Sequence, residues 1–273
     1  MTEEEKRLLQ ERFAQMFPKE TAQAKMPFYY HEKRKALIVK PHALCEGVRY
    51  AEEKGISCIE ISGDNIDLSP LSAAKSIRAL GVSGNLESVD SIYNLPLTHL
   101  HIDNTNNKTQ VDLSRFTMLD RLSLIKNKNN IFGLSNCTSL KELWLYNYVA
   151  QERNLSELKT LKRLCQVDLT YARITSLDGI ENLCSLSRLS INYSRTLKSI
   201  QALSDIGVSQ KIKYLEIDHC PNIETYEPIG SLSCLEKLFI RECKIMDSKK
   251  FLESLGRLTH VFISPKTKIL DEK

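Results

Sequence analysis

Two histidines and an aspartate at alternate positions are the residues whose types and spacing best suit metal chemistry. His99, His101 and Asp103 form the pattern H-x-H-x-D. If this segment is a strand, all three side chains point to one face, because successive side chains alternate. Two imidazoles and a carboxylate are a ligand set that zinc accepts. The pattern therefore allows a metal site and, through it, a metal-dependent enzyme.

Other catalytic patterns are missing from the sequence. It contains no G-x-S-x-G, no glycine-rich phosphate loop and no H-E-x-x-H, which mark common hydrolases and nucleotide-binding proteins. Its eight cysteines include no C-x-x-C pair, so a zinc ribbon is unsupported. We therefore interpret the chain as a non-catalytic protein without a cofactor.

The elements that would position chemical groups are short repeated strands. Leu164, Val167 and Leu169 have the L-x-x-L-x-L spacing of a strand, and the apolar residues of 174–183 follow with a period of three. The period-three segment predicts either a turn of tight helix or an extended stretch that leads the chain back to the next strand. The spacing occurs ten times in all, at intervals of 20 to 26 residues, starting at Ile56, Ile77, Leu97, Leu119, Leu140, Leu164, Leu186, Ile212, Leu235 and Leu258. One such unit cannot bury its own apolar edge, so the repetition predicts a stack.

This pattern resembles that of leucine-rich-repeat proteins, and the unit at Leu164 is similar to the internalin-like class of about 22 residues per repeat. The resemblance covers roughly residues 56–263. It implies an α/β solenoid, a right-handed horseshoe or arc with a parallel concave β-sheet and an N-terminal helical cap. Such a repeat specifies a fold well and a function poorly.

The resemblance also implies an inward-pointing residue just after each strand, usually Asn or Cys, that satisfies backbone groups at the turn. Cys220 and Cys243 occupy this position, and Asp64, Asn127 and Ala172 occupy it in other repeats. Buried cysteine commonly acts as a small apolar residue. We therefore expect these cysteines to be structural thiols rather than a disulfide or a redox pair.

Three segments follow from the repeats. Residues 1–55 are predicted to form an N-terminal cap, residues 56–264 about ten leucine-rich repeats, and residues 265–273 a C-terminal tail. The cap would hold an amphipathic helix over 2–17, a strand over 36–40 and a second helix over 42–54 that Gly55 ends. The segment 27–35, between the first helix and the strand, is expected to be a solvated connector.

Loops are expected where the repeats lengthen. Polar turns are predicted at 104–108 and 127–130, and added loop residues at 148–153 and 205–211. Such loops on one edge of a repeat stack often extend a binding surface.

Alternation along each strand places one set of side chains on the concave, solvent-facing side. Trp144, the single tryptophan of the chain, falls there, in one row with Phe239 and Phe262. Exposed aromatic residues near arginine are typical of protein-binding hot spots. The predicted partner-binding residues are Trp144, Tyr146, Tyr171, Tyr193, Arg121, Asp168, Arg188, Tyr214, Asp218, Phe239 and Arg241.

The charges of this predicted face disfavour two other functions. Six acidic and four basic residues fall on it, although the whole chain has a formal charge of +4. A nucleic-acid groove would show the opposite asymmetry. Arg121 falls beside the H-x-H-x-D strand and would repel a cation, so we favour surface histidines over a metal site.

The remaining features predict a cytoplasmic protein. The first residues, MTEEEKRLLQERF, carry acids where a secretory signal would carry bases. The sequence has no apolar run of the roughly 18 residues that suggest a membrane span. We therefore expect a monomer that has no membrane partner. The spread of the repeat intervals suggests a bacterial source.

The sequence thus predicts a non-catalytic scaffold that binds another protein on its concave face. A bacterial immunity protein that blocks a toxin is an alternative, as is an effector or an adaptor. A metal-dependent enzyme that uses His99, His101 and Asp103 is less favoured.

Overall fold

The structure is a computed structural model, which describes residues 26–104, 109–125, 131–246, 251, 253, 255, 258, 260–264 and 266–270. The helix predicted over 2–17 lies outside these residues, as do nearly all of the predicted turns at 104–108 and 127–130 and the inward position of Asn127. Within the described part of the chain, no helix combines the length and apolar character that crossing a bilayer requires.

The described chain divides into two compact units, with the boundary between Leu95 and Pro96. The strands and the helix of the first unit are β1 (Phe28–His31), β2 (Ala36–Val39), α1 (Leu44–Lys54), β3 (Cys58–Asp67) and β4 (Ala79–Ser88). Its 3-10 helices are Pro41–Ala43, Ser69–Ala73 and Asp90–Ile92. Its four strands lie in chain order in one sheet, antiparallel between β1 and β2 and parallel from β2 to β4.

The first unit matches the prediction in part. Strand β2 and helix α1 lie where the sequence placed them, and α1 ends at Gly55, whose φ of 65° is the left-handed conformation that glycine adopts at low cost. The segment 27–35 is not a simple connector, because β1 pairs along its whole length with β2. Asp64 is exposed rather than inward, because β3 continues past it to Asp67.

The second unit contains a longer sheet. Its strands and helix are β5 (His99–Asn104), β6 (Val111–Asp112), β7 (Arg121–Ile125), β8 (Ile131–Phe132), β9 (Glu142–Tyr146), β10 (Gln166–Thr170), β11 (Arg188–Asn192), α2 (Ile206–Ser209), β12 (Tyr214–Asp218), β13 (Lys237–Arg241), β14 (Lys244–Met246), β15 (His260–Ile263) and β16 (Lys268–Leu270). The sheet order is β5-β7-β9-β10-β11-β12-β13-β15, and each described pairing is parallel. Two short parallel pairs, β6 with β8 and β14 with β16, lie outside this sheet.

A 3-10 turn returns the chain in most repeats of the second unit. These turns are Leu113–Arg115, Leu134–Asn136, Ser156–Leu158, Ile180–Asn182, Gln201–Ser204 and Glu227–Ser231. Each turn buries an apolar side chain such as Leu158 or Ile180. The two core positions of each strand from β9 to β13, such as Val167 and Leu169, are also buried. The period-three pattern therefore encodes a tight helical turn, and the core is a column of stacked aliphatic side chains.

Residues 148–153 contain no helix or strand, as predicted for an added loop, but burial was not predicted for Tyr148, which is fully buried at the inward position of its repeat. Its hydroxyl donates a hydrogen bond to Glu157 Oε2 at 2.9 Å, which satisfies the polar group. Val261 was expected in the core but is 40% exposed. It lies on β15, the last strand of the sheet, and burial in a repeat stack comes from neighbours on both sides.

The inward cysteines lie as expected. Cys220 Sγ is 3.3 Å from the Asp218 carbonyl oxygen, and Cys243 Sγ is 3.2 Å from that of Arg241. In the repeat before them, Ser194 Oγ donates to the Ala172 carbonyl at 2.6 Å. Burial raises the pKa of the Cys220 thiol to about 12. All eight cysteines lie within the described residues and are free thiols.

Candidate binding surface

The solvent-facing side chains of the eight-stranded sheet in the second unit form what we call the outer sheet face. Parallel in-register pairing places equivalent residues of neighbouring strands side by side. The middle row of this face is His101, Ser123, Trp144, Asp168, Ser190, Glu216, Phe239 and Phe262. The predicted binding residues on the strands therefore share one surface of the second unit.

A cavity of about 240 Å³ opens on the outer sheet face around Trp144. We call it the tryptophan cavity. It is lined by His101, Ser123, Leu124, Ile125, Trp144, Leu145, Tyr146, Asp168 and Thr170. Trp144 is half-buried and Tyr146 is 38% exposed, so the cavity has aromatic walls that solvent reaches.

A second feature, the aromatic ladder, runs along the ends of the strands. It consists of Tyr146, Tyr171, Tyr193 and His219. The ring centroids of Tyr146 and Tyr171 are 5.1 Å apart, edge to face. The next two separations are 4.9 Å and 4.2 Å, both with an interplanar angle of 22°. Tyr171 is nevertheless 42% exposed, so the ladder presents ring edges to solvent.

The backbone explains why these rings stack. Tyr171, Tyr193 and His219 each follow a strand directly and have φ of 54°, 55° and 51°. The Tyr171 N–H donates to the Asn192 carbonyl at 2.9 Å, and the Tyr193 N–H to the Asp218 carbonyl at 2.8 Å. The left-handed conformation thus preserves the hydrogen bond to the next repeat. It also turns each side chain onto the edge of the sheet where the strands end, which we call the rim. Both tyrosines were predicted from the sequence as partner-binding residues, but His219 was not, although it occupies the equivalent repeat position.

The predicted charged residues on β12 and β13 are largely paired. Arg241 forms ion pairs with Glu216 and Asp218. Asp218 also lies 2.6 Å from His219 Nδ1, and His219 Nε2 lies 3.0 Å from Glu242 Oε2. Arg241 offsets only part of the negative charge of Glu216 and Asp218. These contacts order the side chains, and this part of the face stays acidic.

The other predicted arginines also have neighbours on the face. Arg121 Nε lies 3.2 Å from Glu142 Oε1. The Arg188 guanidinium lies over the Tyr214 ring, 3.7 Å from its centroid, and the Tyr214 hydroxyl donates to Glu216 at 2.8 Å. Phe239 lies 5.4 Å from the Tyr214 ring and 6.5 Å from that of Phe262, so these aromatic residues form a second cluster.

Asp168 differs from these residues. It accepts hydrogen bonds from Thr170 Oγ1 at 3.2 Å and from the Asn192 side chain, but it forms no ion pair with a described residue. Burial raises the pKa of Asp168, as does the Glu216 carboxylate, while the two hydrogen bonds and the charge of Arg188 lower it. The ionised form is therefore held at some cost beside the tryptophan cavity.

The H-x-H-x-D residues lie on β5 as the alternation predicts, but their contacts do not favour a metal. His101 Nδ1 lies 2.9 Å from Ser123 Oγ, and His99 Nδ1 lies 2.8 Å from Thr98 Oγ1. Burial and the neighbouring Arg121 lower the pKa of His99. Within the described ranges, no group of three or more His, Cys, Asp or Glu residues is placed to hold a metal ion.

The repeated strand, the aliphatic column and the inward thiols define the leucine-rich-repeat fold, of the internalin-like kind. Solved structures share it. An internalin, InlF, from Listeria monocytogenes is 22% identical, with a TM-score of 0.58, and the match covers 84% of this chain and 65% of that one. TLR13, solved in complex with ssRNA13, is 18% identical with a TM-score of 0.60, covering 84% and 39%.

A third structure, the functional domain of InlJ from Listeria monocytogenes, is described as including a cysteine ladder. It is 15% identical with a TM-score of 0.50, and the match covers 73% of this chain and 47% of that one. No protein-family model matches the chain, and a search of curated proteins finds no significant relative. At these identities the similarity shows the fold alone.

Proposed function

We propose that the chain is a non-catalytic scaffold that binds another protein on the outer sheet face of its second unit. The observation that carries the proposal is the run of solvent-accessible aromatic side chains that joins the tryptophan cavity to the aromatic ladder. Contiguous exposed apolar surface beside polar groups is typical of protein-interaction sites. Trp and Tyr also dominate the residues whose truncation weakens such interfaces most.

Rigidity supports the same proposal. Neighbouring ladder rings lie 4.2 to 5.1 Å apart, so Tyr171 and Tyr193 are each held between two rings, and Arg188 is held over Tyr214. Side chains that are already ordered lose little conformational entropy when a partner covers them. The face therefore offers a preformed surface, as binding sites commonly do.

The TLR13 structure contains RNA, so a nucleic-acid partner is the natural competitor. Proteins that bind single strands without reading sequence present aromatic faces on which bases stack. Here the faces of Tyr171, Tyr193 and His219 lie against one another. The half-buried Asp168 and the paired carboxylates of β12 would also repel phosphates. The geometry favours a protein partner.

The experiment compares capture of a partner from the source cell by three immobilised forms of the chain. The test variant carries Trp144→Ala and Tyr146→Ala. The control is Phe132→Ala, which removes an aromatic side chain that is 47% exposed on β8, outside the sheet. We expect the double variant to lose at least about 30-fold in affinity, or 2 kcal/mol, and the control to bind as the parent does. Equal capture by all three forms would remove this surface from the function.

A folded double variant is confirmed by circular dichroism. An inhibited toxin as the captured partner would support the narrower immunity-protein form of the proposal, and a regulated host or bacterial protein would support the effector or adaptor form.

A further inference from the structure

The tryptophan cavity combines aromatic walls with a carboxylate. In register, Asp168 lies directly beside Trp144 on the neighbouring strand, and Thr170 lies beside Tyr146. All four residues line the same cavity. An aromatic face and a carboxylate together attract a cation, through the ring quadrupole and through charge.

The chain itself fills a similar arrangement two strands further along. Glu216 occupies the same row as Asp168, and Arg241 forms an ion pair with it. The neighbouring Tyr214 ring receives the Arg188 guanidinium at 3.7 Å from its centroid. On β12 the aromatic ring and the carboxylate therefore both hold arginines of the same chain.

Asp168 forms no such ion pair with a described residue: Arg188 acts on it electrostatically, but its guanidinium lies over the Tyr214 ring. The two hydrogen-bond donors to the carboxylate, Thr170 and Asn192, are neutral, and Ser190, the residue beside it on β11, is buried and small. Two neutral donors do not offset a half-buried negative charge as an arginine does. The carboxylate lacks the one contact that its equivalent on β12 has.

We propose that the tryptophan cavity receives an arginine side chain of the partner protein, stacked on Trp144 and Tyr146 and paired with Asp168. This inference rests on the proposed function and names the chemistry that the outer sheet face recognises. Arginine suits the site better than lysine because its planar guanidinium stacks on rings and pairs with a carboxylate through two N–H groups. The Arg188–Tyr214 contact shows that this surface accommodates such stacking.

Trp144 provides a direct readout, because it is the single tryptophan of the chain. The purified chain is titrated with N-acetyl-arginine methylamide while its tryptophan fluorescence is recorded at constant ionic strength. The matched probe is N-acetyl-citrulline methylamide, which has nearly the same shape and no charge. We expect saturable binding of the arginine probe with a Kd of about 1 mM and at least about 10-fold weaker binding of the citrulline probe.

Two variants locate the binding. Asp168→Asn keeps the size of the side chain and should reduce arginine binding to the citrulline level. Asp178→Asn removes the same charge from an exposed loop residue and should leave it unchanged. Equal affinities for the two probes, unsaturable titration of the parent chain, or undiminished arginine binding by Asp168→Asn would each overturn the proposal. The comparison of the two probes on the parent chain does not depend on any variant folding.

The capture experiment separates this inference from the proposed function. If capture of the partner is lost in the Trp144→Ala, Tyr146→Ala variant but retained in Asp168→Asn, the surface binds a partner and the arginine inference is wrong. If the arginine probe binds at Asp168 but the aromatic variants capture the partner normally, the cavity binds cations and the proposed interface lies elsewhere.

Discussion

One repeat position takes two different forms in the two units. It is the residue two places after the second core residue of each strand. In the first unit it is Gly63 and Gly84, with φ of 147° and 134°, and each strand runs through its glycine to a total length of ten residues. In the second unit the strands β9 to β13 end there after five residues, and φ lies between 48° and 56° at Asn147, Tyr171, Tyr193, His219 and Glu242.

The difference shows where each unit can carry function. A glycine pair lets two backbones approach closely but provides no side chain at the rim. The left-handed form costs about 1 kcal/mol for each non-glycine residue, and the stacked rings and preserved backbone hydrogen bonds offset that cost. Strained conformations that the surroundings maintain are often found at functional sites. The second unit is therefore the one with a rim built from side chains.

The largest expected effect tests the glycine form. In Gly84→Ala the new Cβ would lie 1.7 Å from the Gly63 carbonyl oxygen, a backbone atom that cannot rotate away. We expect the free energy of unfolding of the first unit to fall by at least about 3 kcal/mol, measured by urea unfolding followed by circular dichroism.

Gly55→Ala is the matched control for this change. It also places alanine at a positive φ, 65°, but its Cβ meets nothing within 4 Å. It should cost about 1 kcal/mol. Equal losses in the two variants would mean that the conformation, and not the close approach of the two strands, limits this position.

The second prediction concerns the position that follows, where the first unit has the exposed Asp64 and the second unit has buried thiols. Burial raises the pKa of Cys220 to about 12, so its thiolate fraction at pH 8 is about 10⁻⁴. We expect the exposed Cys184 and Cys234 to be alkylated at least about 100-fold faster than Cys220 and Cys243. Time-resolved alkylation with peptide mass spectrometry measures the rates, and similar rates for all four thiols would contradict the inward assignment.

Much of this fold could be predicted from the sequence, because burial imposes the spacing of leucines directly. Each predicted repeat from Leu97 to Leu258 contains a strand, and the two core positions of each strand from β9 to β13 are buried. The pairing of β1 with β2 could not be predicted in this way, since the side chains of β1 are only half-buried and show no repeat pattern. The short pair β14–β16 was missed for the related reason that three residues give no readable period.

The candidate site was less predictable. Alternation correctly assigned Trp144, Phe239 and Phe262 to one row. It could not show that Arg241 pairs with Glu216 while Asp168 forms no ion pair with a described residue, because side-chain pairing depends on reach and rotamer rather than on spacing. It also gave no sign that tyrosines would adopt a left-handed conformation, which residue preferences disfavour.

The third prediction measures the coupling within the aromatic ladder. Tyr193→Ala removes a ring that stacks on both Tyr171 and His219. We expect a loss of about 1 to 2 kcal/mol in the free energy of unfolding of the second unit. A double-mutant cycle with Tyr171→Ala should give a coupling energy of about 0.5 to 1.5 kcal/mol.

Phe132→Ala is the control for surface truncation and should change stability by less than about 0.5 kcal/mol. Additive effects of the two tyrosine substitutions would show that the rings lie near one another without a stabilising contact. The backbone conformation alone would then determine the arrangement of the ladder.

The smallest expected effect distinguishes Asp168 from the paired carboxylates around it. Its raised pKa means that the folded chain holds this proton more tightly than the unfolded chain does. The corresponding stabilisation is complete below the unfolded pKa, near 3.9, and is lost as the pH rises through the folded pKa. Asparagine does not titrate, so the Asp168→Asn variant should gain stability relative to the parent between pH 3 and pH 7, by less than about 1 kcal/mol.

Glu142→Gln should not show this gain at pH 7, because Glu142 forms an ion pair with Arg121. The groups that face Asp168 are Trp144 on β9, Ser190 and Arg188 on β11 and Glu216 on β12, and none of them changes in either variant. If Asp168→Asn stabilises the fold and also abolishes arginine binding, the role of the Asp168 carboxylate is recognition rather than packing. If Asp168→Asn instead destabilises the chain at pH 7, the carboxylate supports the strand ends through Thr170 and Asn192, and its lack of an ion pair has a structural reason.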